Sequence, residues 1–86
     1  MTYAIIYAED VVAKDIPALP KTMKNRIQAA TETRLKVDPV AFGKPLRFTL
    51  KGHRRLRVGD WRLVYRIDGR IVRVVGIKHR SQIYED

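Results

Sequence analysis

Hydrophobic positions follow two different spacings along the chain. Between residues 11 and 35, apolar side chains recur every three or four positions, which places them on one face of a helix. From residue 46 onwards, short β-branched and aromatic runs alternate apolar with polar residues. This pattern predicts helices in the first half of the chain and strands in the second.

The N-terminal half is predicted to form one strand and two helices. A strand covers residues 2–7, and the helix after it starts near Glu9. Pro17 has no N–H group to donate, so it ends or kinks that helix, and a second helix begins near Pro20. The second helix stops at Asp38-Pro39, and its apolar stripe contains Met23, Ile27, Ala30 and Leu35.

The C-terminal half is predicted to form a loop followed by strands. The loop covers residues 39–45, and glycine-containing joints then separate four strands over residues 46–50, 53–58, 61–67 and 70–77. Residues 78–86 are left without an assigned conformation. The predicted fold is an α+β domain spanning residues 1–86, with two N-terminal helices packed on one face of a small, mostly antiparallel sheet of four to five strands.

Two tight turns determine which residues face each other across the last three strands. A turn at Gly59-Asp60 places Arg57 directly opposite Arg62, and a second turn is predicted at Asp68-Gly69. The pairs predicted across the second turn are Ile67 with Arg70, Tyr65 with Val72, and Leu63 with Val74.

Side chains alternate between the two faces of a sheet, so this pairing separates an apolar face from a basic one. The predicted core face contains Leu56, Val58, Trp61, Leu63, Tyr65, Val72 and Val74. The other face is predicted to face solvent, and it contains His53, Arg55, Arg57, Arg62, Arg66 and Arg73, with Val64, Ile71 and Val75 between them.

Like charges placed directly opposite each other destabilise a sheet. Arginines that cluster in this way favour a phosphate-binding site, because the guanidinium group forms paired hydrogen bonds with phosphate oxygens. The alternative is that these long side chains splay apart in water at little cost.

The charge balance of the whole chain supports a nucleic-acid partner. The net charge is +9; residues 1–43 carry six Lys or Arg against five Asp or Glu, and residues 44–86 carry twelve against four. A positive charge concentrated in one half is typical of nucleic-acid binding, although an acidic protein partner also fits it.

Several functional classes are disfavoured. The chain has no cysteine, so it has no disulfide or Cys-type zinc site, which fits a reducing cytoplasm. No secretion leader or stretch of about 20 apolar residues is present, so no membrane association is expected. No metal-ligand cluster, glycine-rich phosphate loop or Ser/His/Asp arrangement is apparent, so we expect neither a metal nor a cofactor.

The C-terminal sequence IKHRSQIYED contains candidate catalytic groups. Lys78, His79, Arg80 and Tyr84 lie within seven residues. RNA can be cut without a metal when its 2′-OH attacks the adjacent phosphate, which requires a base, an acid and cations. The alternatives are that His79 and Arg80 are ordinary exposed residues and that Tyr84 covers the core edge. Gly76 indicates a bulge, so which side chain of residues 78–80 faces the arginines stays open.

The sequences RLRVGDWRLVYRI and KHRSQIY, with KPLRFTLKG before them, resemble the RelE/ParE superfamily of toxin–antitoxin toxins, and most closely its RelE-like mRNA interferases. The resemblance covers nearly the whole chain. It implies a ribosome-dependent, metal-independent endoribonuclease that cleaves mRNA in the ribosomal A site, inhibits translation and is held inactive by a cognate antitoxin in a hetero-oligomer. The implied site residues are Arg62, Lys78, His79 and Tyr84 for catalysis, and Arg55, Arg57, Arg73 and Arg80 for substrate binding.

One position departs from the pattern of these nucleases, and two other functions stay open. Lys78 stands where the resemblance favours an arginine. The second function is a ParE-like protein that inhibits DNA gyrase. The third is a nucleic-acid-binding module without catalytic activity.

Overall fold

Five strands form one sheet in the order β1-β5-β4-β3-β2, in a computed structural model that describes residues 2–47 and 51–82. The strands are β1 (Ala4–Tyr7), β2 (Lys44–Pro45), β3 (Arg54–Val58), β4 (Trp61–Asp68) and β5 (Ile71–His79). Only β1 and β5 pair in parallel; the other neighbours are antiparallel. The predicted α+β class with a mostly antiparallel sheet is confirmed.

The helices pack against the sheet and contribute part of the core. Helix α1 (Val11–Asp15) and the end of α2 (Lys21–Ala30, continued by Thr31–Leu35) have π-helical turns. The helical residues in the buried core cluster are Val11, Ile27, Ala30 and Leu35, and they pack with residues of the predicted core face of the sheet. No helix among the described residues is long and apolar enough to cross a membrane.

Two predictions for residues 39–50 are wrong. Residues 39–42 are not a loop but a short helix, α3 (Pro39–Phe42). The carboxylate of Asp38 accepts a hydrogen bond from the Ala41 N–H at 3.1 Å, and proline suits the first helical position. Asp38-Pro39, predicted to stop the second helix, therefore starts α3. The predicted strand over residues 46–50 is wrong for the residues that can be compared, because β2 covers Lys44–Pro45 and residues 46 and 47 are not part of a strand. Residues 48–50 of that prediction lie outside the described residues.

The first hairpin has the predicted register, and the second does not. Arg57 faces Arg62 across the first turn. In the second hairpin Gly69 has φ +59, and the loop is formed by residues 69 and 70, so that Tyr65 faces Val74 instead of Val72. This shift by two residues leaves each side chain on its predicted face.

A β-bulge then changes the faces of the last residues of β5. Tyr65 pairs with Val74, but Val64 pairs with Gly76, which leaves Val75 as the additional residue. Beyond the bulge Ile77 is buried in the core and Lys78 faces Arg62. The strand also continues two residues further than predicted, to His79.

Candidate functional site

Three basic residues form one row across the three central strands. Arg57 on β3 pairs with Arg62 on β4, which pairs with Lys78 on β5. Adjacent strands lie about 4.8 Å apart, so these side chains leave the same face as close neighbours. We call Arg57, Arg62 and Lys78 the basic row. The turn at Gly59 aligns Arg57 with Arg62, and the β-bulge in β5 aligns Arg62 with Lys78.

Arg55 lies beside the basic row. It pairs with Val64 on one side and with Lys44 of β2 on the other. Val64 in turn pairs with Gly76 on β5. A second line of paired residues therefore runs beside the basic row, with cations on β2 and β3 and with small or apolar residues on β4 and β5. The cations thus lie next to a small uncharged area formed by Val64 and Gly76.

The prediction that this face is exposed to solvent is wrong for its centre. Arg55 is 7% exposed, Arg62 is 8% exposed and Val64 is 5% exposed, whereas Arg57 is exposed. Alternation along a strand predicts the direction of a side chain but not its exposure, which depends on what packs over that face of the sheet. Partial removal from water strengthens the interaction of these cations with an anion.

Lys78 lies near a carboxylate from a helix. Its Nζ lies 3.6 Å from Oδ1 of Asp15, at the end of α1. Oδ2 of the same carboxylate accepts a hydrogen bond from the Ile77 N–H at 3.0 Å. Sequence reasoning missed Asp15, because 62 residues separate it from Ile77 and no local pattern connects the two.

Arg73 and Arg80 lie away from the centre of the basic row. Arg73 faces Arg66 near the other end of β4, roughly 13 Å along the strand from Arg62 at about 3.3 Å per residue. Its Nε lies 2.9 Å from the Asp68 carboxylate. Arg80 follows β5 at the tip of the first hairpin, where its N–H donates to the carbonyl of Asp60 at 2.8 Å.

His79 lies on the opposite face of the sheet from Arg55, Arg57 and Arg62. His79 pairs with Trp61 on the helix-bearing face, where the two rings meet edge to face with centroids 5.3 Å apart. Its Nδ1 lies 3.0 Å from the Ser81 hydroxyl. Trp61 packs against the core, as predicted. The predicted catalytic residue Tyr84 lies outside the described residues.

The described part of the site therefore contains Arg55, Arg57, Arg62 and Lys78, with Asp15 beside it. Four cations on one face can bind a phosphodiester and stabilise added negative charge on it. Within residues 2–47 and 51–82, no group of three or more His, Asp or Glu side chains is arranged to hold a metal ion.

The chain is similar in sequence to known proteins. Residues 5–84 match the family described as "ParE toxin of type II toxin-antitoxin system, parDE". The chain is 36% identical over 73 residues to Toxin RelG of Mycobacterium tuberculosis, which covers 83% of this chain and 84% of that protein.

Solved structures show the same fold. A chain of the toxin–antitoxin complex RelBE2 from Mycobacterium tuberculosis superposes with a TM-score of 0.85 and 29% identity, over 93% of this chain and 100% of that one. A chain of the RelB–RelE antitoxin–toxin complex from Methanococcus jannaschii gives a TM-score of 0.65 at 20% identity, over 92% and 94% of the two chains. The second likeness shows the fold alone.

Proposed function

The chain belongs to the RelE/ParE superfamily of type II toxin–antitoxin toxins, and from this premise we propose that it is a ribosome-dependent, metal-independent endoribonuclease that cleaves mRNA in the ribosomal A site. The observation that supports this proposal most directly is the basic row. Its three cations lie directly opposite one another across three strands, an arrangement that destabilises a sheet unless an anion such as a phosphate binds there.

The proposed reaction is an intramolecular attack within the mRNA. The 2′-oxygen forms a bond to the adjacent phosphorus, and the bond from phosphorus to the 5′-oxygen of the next nucleotide breaks. The 2′-OH loses a proton and the leaving oxygen gains one, so the products are a 2′,3′-cyclic phosphate and a 5′-OH. Arg62 and Arg57 stabilise the negative charge that develops on the phosphate oxygens.

Proton transfer is assigned to the end of β5 and the residues after it. The Lys78 ammonium carries protons and belongs to the basic row, so it is the proposed acid or phosphate clamp. Tyr84 is the proposed partner for the other proton. His79 is left out of this assignment, because it packs on Trp61 on the opposite face.

We also propose a cognate antitoxin as the protein partner, in a toxin–antitoxin hetero-oligomer in the cytoplasm. The structural relatives named above were solved as toxin–antitoxin complexes. An antitoxin segment that carries acidic residues fits a chain of charge +9, and it would cover the basic row or pack on the helices.

A cell-free translation reaction tests the proposed function. Purified protein is added with and without ribosomes, and the 5′ ends of the mRNA are mapped by primer extension. We expect new 5′-OH ends within the open reading frame that require ribosomes. The absence of cuts from folded wild-type protein would contradict the proposal.

The matching family description names ParE toxins, and this favours gyrase inhibition as the second candidate function. Inhibition of DNA supercoiling by purified gyrase, together with intact mRNA in the translation reaction, would support this alternative. Harmless expression of soluble protein without an antitoxin would instead favour a binding module that has no catalytic activity.

A further inference from the structure

We propose that Asp15 is a positioning residue that fixes the Lys78 ammonium beside the arginines. This inference rests on the proposed function, because it concerns the proposed acid or phosphate clamp of the same site. It assigns a catalytic consequence to a residue in the N-terminal helix that is remote in sequence from every other residue of the site.

The first observation concerns the open edge of β5. Strand β1 ends at Tyr7, which pairs with Val74, so no strand within residues 2–47 and 51–82 pairs with β5 on that side beyond this point. The Ile77 N–H lies past the end of β1, and the Asp15 carboxylate accepts its hydrogen bond at 3.0 Å. Asp15 thereby takes the place of a neighbouring strand and fixes the backbone next to Lys78.

The second observation is the path of the Lys78 side chain. A methyl group built on Gly76 would lie 3.6 Å from Cε of Lys78, so the lysine chain lies over the bare glycine. Its ammonium then reaches to 3.6 Å from Oδ1 of Asp15. One carboxylate thus contacts both the backbone of β5 and the side chain that β5 presents to the site.

The third observation is where the carboxylate lies. The Asp15 side chain is only 15% exposed, whereas that of Lys78 is 43% exposed. Asp15 contacts β5 at its open edge, and β4 with Arg62 pairs along the other edge, so the backbone of Lys78 lies between the carboxylate and β4. The acid therefore holds the lysine in place without occupying the side from which β4 presents its cations.

The functional consequence follows from the flexibility of lysine. Its four-carbon stem has many rotamers, and an ammonium that moves freely spends little time near the reacting phosphate. A misplacement of about 1 Å in a catalytic group can reduce a rate roughly a hundredfold. Asp15 restricts Lys78 to one location and connects the packing of α1 to the reaction.

The substitution Asp15→Asn removes the negative charge of the side chain but keeps an oxygen that can accept a hydrogen bond. The amide oxygen still accepts the Ile77 N–H, but the attraction to Lys78 is removed. We expect the single-turnover cleavage rate at saturating protein to fall about ten- to a hundredfold, with an unfolding temperature close to that of wild type. The affinity for ribosomes should not weaken, because the substitution removes a negative charge.

Two controls separate positioning from stability and from net charge. Glu32→Gln removes the same charge from the exposed pair that Glu32 forms with Lys36 at 2.9 Å, and it should leave cleavage unchanged. In a Lys78→Ala background, Asp15→Asn should have no further effect on the cleavage rate. Wild-type cleavage by the Asp15→Asn protein, or an equal loss in the Lys78→Ala background, would overturn the inference.

A measurement on the free protein tests the contact independently of catalysis. NMR of the lysine ammonium groups should show slowed exchange and restricted motion for Lys78 in the wild type, and neither in Asp15→Asn. An unchanged Lys78 signal would overturn the inference even if the wild type cuts mRNA. A wild type that cuts no mRNA would overturn the proposed function instead, whatever the ammonium signal shows.

Discussion

Two adjacent arginines in β3 have opposite orientations and different environments. Arg54 faces the helix-bearing side, and its guanidinium donates hydrogen bonds to the carbonyls of Val40 at 2.6 Å and Gly43 at 2.9 Å. Arg55 faces the side of the basic row. Composition and charge do not distinguish the two residues, but strand alternation does. Arg54 therefore stabilises the segment between α3 and β2, and Arg55 belongs to the site.

The Tyr65 hydroxyl forms a buried hydrogen bond that should contribute to stability. It is fully buried, and its hydroxyl donates a 2.6 Å hydrogen bond to the Pro39 carbonyl. Tyr65→Phe should lower the free energy of unfolding by about 1–3 kcal/mol at pH 7, because the carbonyl loses its partner in a buried place. Urea unfolding of both proteins measures this difference, and equal stabilities would contradict it.

The same pair of proteins should differ in pH dependence. Burial raises the pKa of Tyr65 above its ordinary value. The stabilisation by the neutral phenol is therefore complete below about pH 10, the pKa in the unfolded chain, and is lost as the pH rises towards the folded-state pKa. The stability difference between wild type and Tyr65→Phe should narrow above about pH 10. A difference that stays constant would show that Tyr65 does not contribute to alkaline unfolding.

At the scale of elements, three glycines account for where the sequence-based predictions of strand pairing succeeded and where they failed. Gly59 fixed the first hairpin, so Arg57 and Arg62 were placed correctly. The second hairpin was misassigned because its Asp-Gly pair resembles a two-residue loop, whereas Gly69 occupies the first loop position. Gly76 signalled a bulge, but the identity of the extra residue depends on how β5 pairs with β4, which no local pattern contains.

Gly43 connects α3 to β2 and lies close to the core. A methyl group on Gly43 would overlap the Tyr65 hydroxyl, so the chain can pass this close to the core only without a side chain. Gly43→Ala should destabilise the protein by about 1–3 kcal/mol or more through forced movement of Tyr65. Gly76→Ala is the matched control, because its methyl group would meet only ordinary contacts at 3.6 Å and beyond. Equal thermal stability of the two variants would contradict this account.

At the scale of the whole molecule, the family and the basic face were predictable, whereas the complete site was not. The RelE/ParE resemblance is confirmed by the family match over residues 5–84 and by the relatives. Arg55, Arg57 and Arg62 follow from hairpin register. Asp15 could not be predicted, because it reaches the site through the packing of α1 against the open edge of β5. The roles proposed for Lys78 and Tyr84 remain predictions.

The central claim is that position on the basic row, rather than positive charge in general, is responsible for cleavage. Arg62 and Arg66 lie on the same strand and the same face, but Arg66 is beside Asp68 at 3.4 Å and away from the row. Single-turnover cleavage of ribosome-bound mRNA by the Arg62→Ala and Arg66→Ala proteins compares the two positions at equal net charge. We predict a loss of about a hundredfold or more for Arg62→Ala and nearly wild-type cleavage for Arg66→Ala. Equal losses in the two variants would contradict the claim.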